Sequence, residues 1–166
     1  LKERTEGWIA GLQMAAVSMR GRDDVTAFVR AFAGSHRYIL DYLGDEVLRQ
    51  QPEEVREFLL RTAILDRLTS SLCSALMEKA ASGEDRVDSQ AMLEYLERSN
   101  LFVVPLDSER GWYRYHHLFA DLLRQRVSRE NPGIVRELHR RASIWYEKNG
   151  LMAEAVNHAL ACKDFE

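Results

Sequence analysis

The sequence predicts a mainly helical protein carrying one small β-hairpin. Apolar residues recur three and four positions apart along most of the chain, the period of helices with one buried face. That period breaks once. Leu101-Phe102-Val103-Val104-Pro105-Leu106 and Trp112-Tyr113-Arg114-Tyr115 are β-branched and aromatic runs, and they flank the polar, glycine-ended stretch Asp107 to Gly111. Two such runs about a turn form a hairpin. The chain is 46% hydrophobic and 30% charged, enough apolar material for a packed core.

In chain order, Thr5 caps a first helix with Trp8, Leu12, Ala15, Ala16 and Met19 at helical spacing, and Gly21 ends it. Asp23 or Asp24 opens a short second helix with Val25, Phe28, Val29 and Phe32; this acidic pair is a cap rather than a pair of catalytic acids. Gly34-Ser35 separates it from a third, with Ile39, Leu43 and Val47 one turn apart. Pro52 suits the first position of the next helix, where its missing N–H costs nothing, and Val55, Phe58, Leu59 and Thr62 share one face. After a turn at Leu65-Asp66-Arg67 comes a helix with Leu72, Cys73, Leu76 and Met77. Residues 80–86 are a polar loop, and Asp88 or Ser89 caps a helix with Met92, Leu93 and Leu96 apolar. Three helices followed by a hairpin is the order of a winged helix.

Beyond the hairpin, residues 116–127 return to helix with Leu118, Leu122, Leu123 and Val127 apolar. Asn131-Pro132 caps and starts another, with Val135, Leu138, Ala142, Trp145 and Tyr146 as its buried face and Gly150 at its stop. A last helix carries Ala155, Val156, Ala159 and Leu160. This final pair resembles one unit of a tetratricopeptide-like array, which cannot stand alone. Together with the missing initiator Met, it leads us to expect a segment of a longer chain.

Charge and motifs exclude several classes. Lys and Arg total 23 against 26 Asp and Glu, a net charge of -3, and tight DNA binding usually leaves a basic footprint. A DNA-reading winged helix would use residues 88–100 as recognition helix and 107–111 as wing; Glu94, Glu97 and Arg98 make that helix a poor fit to a phosphate-lined groove. No apolar run is long enough to span a membrane, and no signal-peptide pattern opens the chain. Cys73 and Cys162 read as small buried hydrophobes in a reducing cytoplasm, without metal spacing. His36, His139 and His158 have no partner at metal spacing, and His139 and His158 are expected at the surface or between helices. Arg136, Arg140 and Arg141 lie near Glu137 and Glu147, as on a salt-bridged, solvated face. There is no GxxxxGK[ST], GxGxxG, GxSxG or HExxH, so the chain by itself is not expected to be an enzyme.

Three strings carry a family resemblance. Thr5-Glu6-Gly7-Trp8-Ile9-Ala10-Gly11-Leu12 is similar to the TEGWxAGL element of MalT-like, LuxR-family regulators of the STAND ATPase class. His36-Arg37-Tyr38-Ile39-Leu40-Asp41-Tyr42-Leu43, then Phe58-Leu59-Leu60-Arg61-Thr62 and Leu65-Asp66-Arg67-Leu68, resemble the segment leading into their winged helix. Trp112-Tyr113-Arg114-Tyr115-His116-His117-Leu118-Phe119-Ala120-Asp121-Leu122-Leu123 resembles their RYHHLFADLLR element. The resemblance implies a helical lid end of a nucleotide-binding module over residues 1–49, a winged-helix domain over 50–130 and the first helices of a sensor arm over 131–166.

It also implies a cytoplasmic switch. A P-loop domain would lie upstream and a helical sensor arm downstream, followed by a LuxR-type helix-turn-helix that contacts DNA. ADP would hold the resting form; inducer and ATP would open it, with self-association and transcription following. No membrane contact is implied, and no nucleotide is expected to bind this segment in isolation. By the same resemblance Gly7, Trp8 and Ile9 approach the adenine, with Ile9 where the wider class has proline. His116 corresponds to the histidine of an MHD-type motif that reaches the ADP phosphate, and His117 is the rival candidate. An imidazole at a helix start is suited to that task, because it donates to phosphate oxygens and the helix N-terminus attracts anions. Apart from the resemblance, Trp8 and Ile9 read as helix core and the two histidines as residues of a strand–helix junction.

Overall fold

In the computed structural model the described residues are 45–77 and 88–162. The expectations for residues 1–44, including Gly7, Trp8, Ile9, the Asp23-Asp24 cap and His36, lie outside them, as does the 80–86 loop. Residues 45–49 are helical. Then come α1 (Glu53–Thr62), α2 (Ser70–Met77), α3 (Ser89–Arg98), β1 (Val103–Pro105), β2 (Tyr113–Tyr115), α4 (His117–Glu130), α5 (Pro132–Lys148) and α6 (Met152–Ala161). A mainly helical chain with one hairpin is what the periodicity predicts.

Helices α1 and α2 bury the predicted faces. Val55, Phe58, Leu59 and Thr62 of α1 and Leu72, Cys73, Leu76 and Met77 of α2 are buried. Pro52 stands one position earlier than expected: it precedes α1 with an extended ψ of 152°. Asp88 caps α3, its carboxylate accepting from the N–H groups of Gln90 and Ala91. Ser89 is instead buried within α3, where its hydroxyl accepts from Ser74 of α2 at 2.9 Å. Asn131 caps α5 through Ile134 N–H, and Pro132 opens that helix.

Helices α3 and α5 end alike. Asn100 (φ 54°) and Gly150 (φ 75°) take the left-handed conformation, and the next residue, Leu101 or Leu151, donates back to the carbonyl of Leu96 or Tyr146 at 2.9 Å. This closure satisfies carbonyls the helix leaves over and turns the chain sharply. After α3 it feeds the hairpin; after α5 it feeds α6.

The hairpin is antiparallel, pairing Val103 with Tyr115, Val104 with Arg114 and Pro105 with Tyr113. It is shorter than the sequence suggests, because Leu101 and Phe102 precede the ladder. Leu68, between α1 and α2, adds an isolated bridge to Tyr113, with N–H to carbonyl distances of 2.8 Å in both directions. The wing is thereby stitched to the helical body. Its turn is organised by Asp107, whose carboxylate accepts from Gly111 and Trp112 N–H at 2.9 Å each.

Tyr113, Phe58 and Phe119 lie fully buried at the centre of the core. Helix α1 packs on α2 and α4, α3 on α2 and β1, and α5 on α2, α4 and α6. Polar contacts help bind α1 to the rest. Thr62 Oγ1 donates or accepts at 2.7 Å with Tyr115 Oη and lies 2.7 Å from the Phe58 carbonyl. Arg124 of α4 donates to the carbonyls of Ala63 and Leu65 and to Asp66, covering the C-terminal end of α1.

Helices α5 and α6 form an antiparallel hairpin, since Ser143 bonds the Ala155 carbonyl while Cys162 Sγ lies 3.6 Å from the Arg136 carbonyl. Its outer face differs from expectation. Ala155 is buried, but Val156 and Leu160 are 52% and 55% exposed and Trp145 is only half-buried. Helical period places these residues on a stripe; among the described residues no element covers the α6 part of it.

Candidate functional site

The junction between β2 and α4 holds the predicted histidine pair. Two backbone bonds set its position: His116 N–H donates to the Phe102 carbonyl at 2.7 Å, and the His116 carbonyl accepts from Ala120 N–H at 2.9 Å. One anchors the residue to the entry of β1; the other starts α4. The anchor residue is itself unusual. Phe102 has φ 61°, a left-handed backbone that is costly for a bulky side chain and persists only when its surroundings enforce it. Its ring is held 4.8 Å, centroid to centroid, from Phe119, which also meets Tyr115 edge-on at 6.1 Å.

His116 precedes the first helical residue and is half-buried; His117 opens α4 and is exposed. Their rings are stacked, centroids 4.5 Å apart and planes 30° from parallel. The His116 ring does not cap the helix, and the first turn of α4 holds no acidic residue. The first-turn N–H groups of a helix have no acceptor inside it, so this end of α4 presents donors and partial positive charge. Asp121, one turn on, is exposed and directed to Arg124 at 3.7 Å. Two imidazoles at a helix start that the His116 side chain does not cap form an arrangement that suits phosphate oxygens.

The other predicted features separate from this junction. Burial pushes the Cys73 thiol far up, out of reactive range, consistent with a small core residue. Cys162 is only partly buried, which corrects the expectation of two buried thiols. Glu137 accepts from both Arg140 and Arg141, and these bonds hold its carboxyl down to about 2. His139 and His158 face each other between α5 and α6, a pairing that spacing did not reveal. Around the wing, Arg110 Nε donates to both carboxylate oxygens of Glu97, and Arg98 pairs with Glu94. Among the described residues no group of three or more His, Cys, Asp or Glu side chains can hold a metal ion. No described helix is long and apolar enough to cross a membrane.

Sequence reasoning missed the support around the junction. Arg124 lies within the quoted histidine string's continuation, but its targets are 58–61 residues earlier. Phe119, rather than the expected Leu118, is fully buried in α4, and its pairing with Phe102 depends on a backbone twist with no sequence signal.

The family model of the MalT winged helix domain matches residues 44–135. The serine/threonine-protein kinase PknK of Mycobacterium tuberculosis (strain ATCC 25618 / H37Rv) is 40% identical over 164 residues, 99% of this chain and 14% of that protein. The HTH-type transcriptional regulator MalT of Yersinia pestis (strain Pestoides F) is 37% identical over 166 residues, 99% of this chain and 18% of that protein. The chain thus spans less than a fifth of the length of these curated relatives. With the match covering helices, hairpin and histidine junction together, the chain belongs to the MalT winged helix domain family.

Proposed function

We propose that this chain is the nucleotide-sensing clamp and relay of a longer, ATP-dependent transcriptional regulator. In this reading it joins a P-loop domain upstream to a sensor arm downstream and is not itself a catalyst. The observation that carries it is the stacked His116–His117 pair at the start of α4, with His117 exposed. ADP held by another domain would receive His116 or His117 on its phosphate, and Gly7, Trp8 and Ile9 near its adenine. Such a contact exists only in the closed arrangement. Ligand identity then shifts the balance between closed and open states, because only differential contacts move such an equilibrium.

The relatives support a relay rather than a reader of DNA. One is named a kinase and the other an HTH-type transcriptional regulator, yet both match this chain nearly end to end. A module joined to two kinds of output is suited to controlling an effector located elsewhere. In the regulator proposed here the effector is a LuxR-type helix-turn-helix outside this segment. The exposed stripe of α6 is where the next tetratricopeptide-like helices of the arm would pack.

The test is His116→Ala and His117→Ala, made separately in the full-length protein. Losing a charge-assisted bond to phosphate costs about 1.5–3 kcal/mol, so the contacting histidine's variant should hold ADP roughly tenfold or more weakly. It should also activate transcription without inducer. Unchanged ADP affinity and unchanged basal activity in both variants would overturn the proposal.

A further inference from the structure

Two histidines distant in sequence meet between α5 and α6. His139 Nδ1 lies 2.8 Å from His158 Nδ1, and both rings are half-buried. His158 is also stacked on Tyr146, centroids 5.3 Å apart and planes 16° from parallel. A hydrogen bond between two ring nitrogens needs a proton on one and a lone pair on the other. It holds when the pair is neutral or carries one extra proton. It fails when both rings are cations, because both nitrogens are then donors and two like charges face each other in a partly dry seam.

Toward the end of α6 the seam is also closed by Cys162, whose Sγ lies 3.6 Å from the Arg136 carbonyl. Ala155 is the residue α6 buries, and the Ser143–Ala155 bond lies one turn nearer the hairpin's bend. Met152, Val156 and Leu160 face outward. Among the described residues, Arg124 on α4 opposes protonation of both rings electrostatically, whereas Asp66, before α2, and Glu154, on α6, favour that of His158. Tyr146 on α5 has Arg67 and Cys73 beyond it.

We propose that the His139–His158 pair is a proton-operated latch that holds α6 against α5 and releases it when both rings are protonated. Burial is the largest influence on both groups. It holds His139 down to about 4, with His158 and Arg124 adding to the effect, and lowers His158 as well. The closed hairpin therefore binds fewer protons than the open one between the ordinary value of 6.5 and about 4. Closure is fully favoured above that window and is lost progressively as pH falls through it.

Amide hydrogen exchange of the 166-residue chain tests this, read by mass spectrometry and corrected for the intrinsic rate at each pH. Between about pH 7 and 4.5, protection of α6 should fall about tenfold or more relative to α1, the change expected from a shift of at least one pKa unit. His139→Asn keeps a donor and acceptor near Nδ1 but does not titrate, so its α6 should lose that acid sensitivity. A wild-type α6 whose protection follows α1 across the range would overturn the proposal without reference to any variant. So would a folded His139→Asn chain that loosens in acid as the wild type does. In a ¹⁵N-histidine titration the two rings should show linked steps displaced below ordinary imidazole; independent, undisplaced titration would also overturn it.

Discussion

Thr62 shows how one atom ties the helical body to the wing. Its hydroxyl lies 2.7 Å from both the Phe58 carbonyl and Tyr115 Oη, in a fully buried site. Burial pushes the Tyr115 hydroxyl well above its ordinary range, so it stays a neutral donor. Thr62→Val keeps the shape and leaves Tyr115 Oη without this partner. A buried hydroxyl so stranded costs about 1–3 kcal/mol, to be read as a lower denaturant midpoint with an unchanged slope. A midpoint equal to that of wild type would show that the bond contributes nothing net. From the sequence, Thr62 was legible as a buried position but not as a polar tie. Its partner lies 53 residues on, and helical period carries no information at that range.

At the scale of elements, the wing depends on its turn. Asp107 collects two backbone N–H groups while Arg110 sits in the left-handed region at φ 54° and reaches Glu97 of α3. Asp107→Ala removes both acceptors. We expect a loss of about 1 kcal/mol, within the range of side-chain caps and turn bonds, together with faster exchange at Gly111 and Trp112. Unaltered exchange at those amides would show that the turn holds without the carboxylate. The hairpin was legible because aromatic and β-branched runs around a Gly-ended turn have few other solutions. The Leu68 bridge was not, since one residue between two helices has no period.

At the scale of the molecule, the two faces of the winged helix differ in what they offer. The exposed side of α3 bears Glu94 and Glu97, and the nearby cations Arg98 and Arg110 are engaged with them. A phosphate-lined groove would meet acid there, so the chain should give no mobility shift with duplex DNA at physiological salt. A sequence-dependent, salt-sensitive shift would return α3 to the role of recognition helix. The start of α4 has no such acid in its first turn, and it carries the stacked imidazoles. Of the predicted contact residues, His116 and His117 fall there, while Gly7, Trp8 and Ile9 belong to the part of the chain outside the described residues.

Among the described residues, the sequence by itself determined where the helices lie, where the hairpin interrupts them, the buried faces of α1 and α2 and that two histidines stand at the strand–helix junction. These are local properties, written in spacing, caps and turn residues within a few positions of one another. Only the tertiary structure decided that Phe102 takes a left-handed backbone beneath His116, that Arg124 covers the end of α1 and that His139 meets His158. Each joins chain segments well separated in sequence, and packing in three dimensions, rather than any local preference, selects the pair.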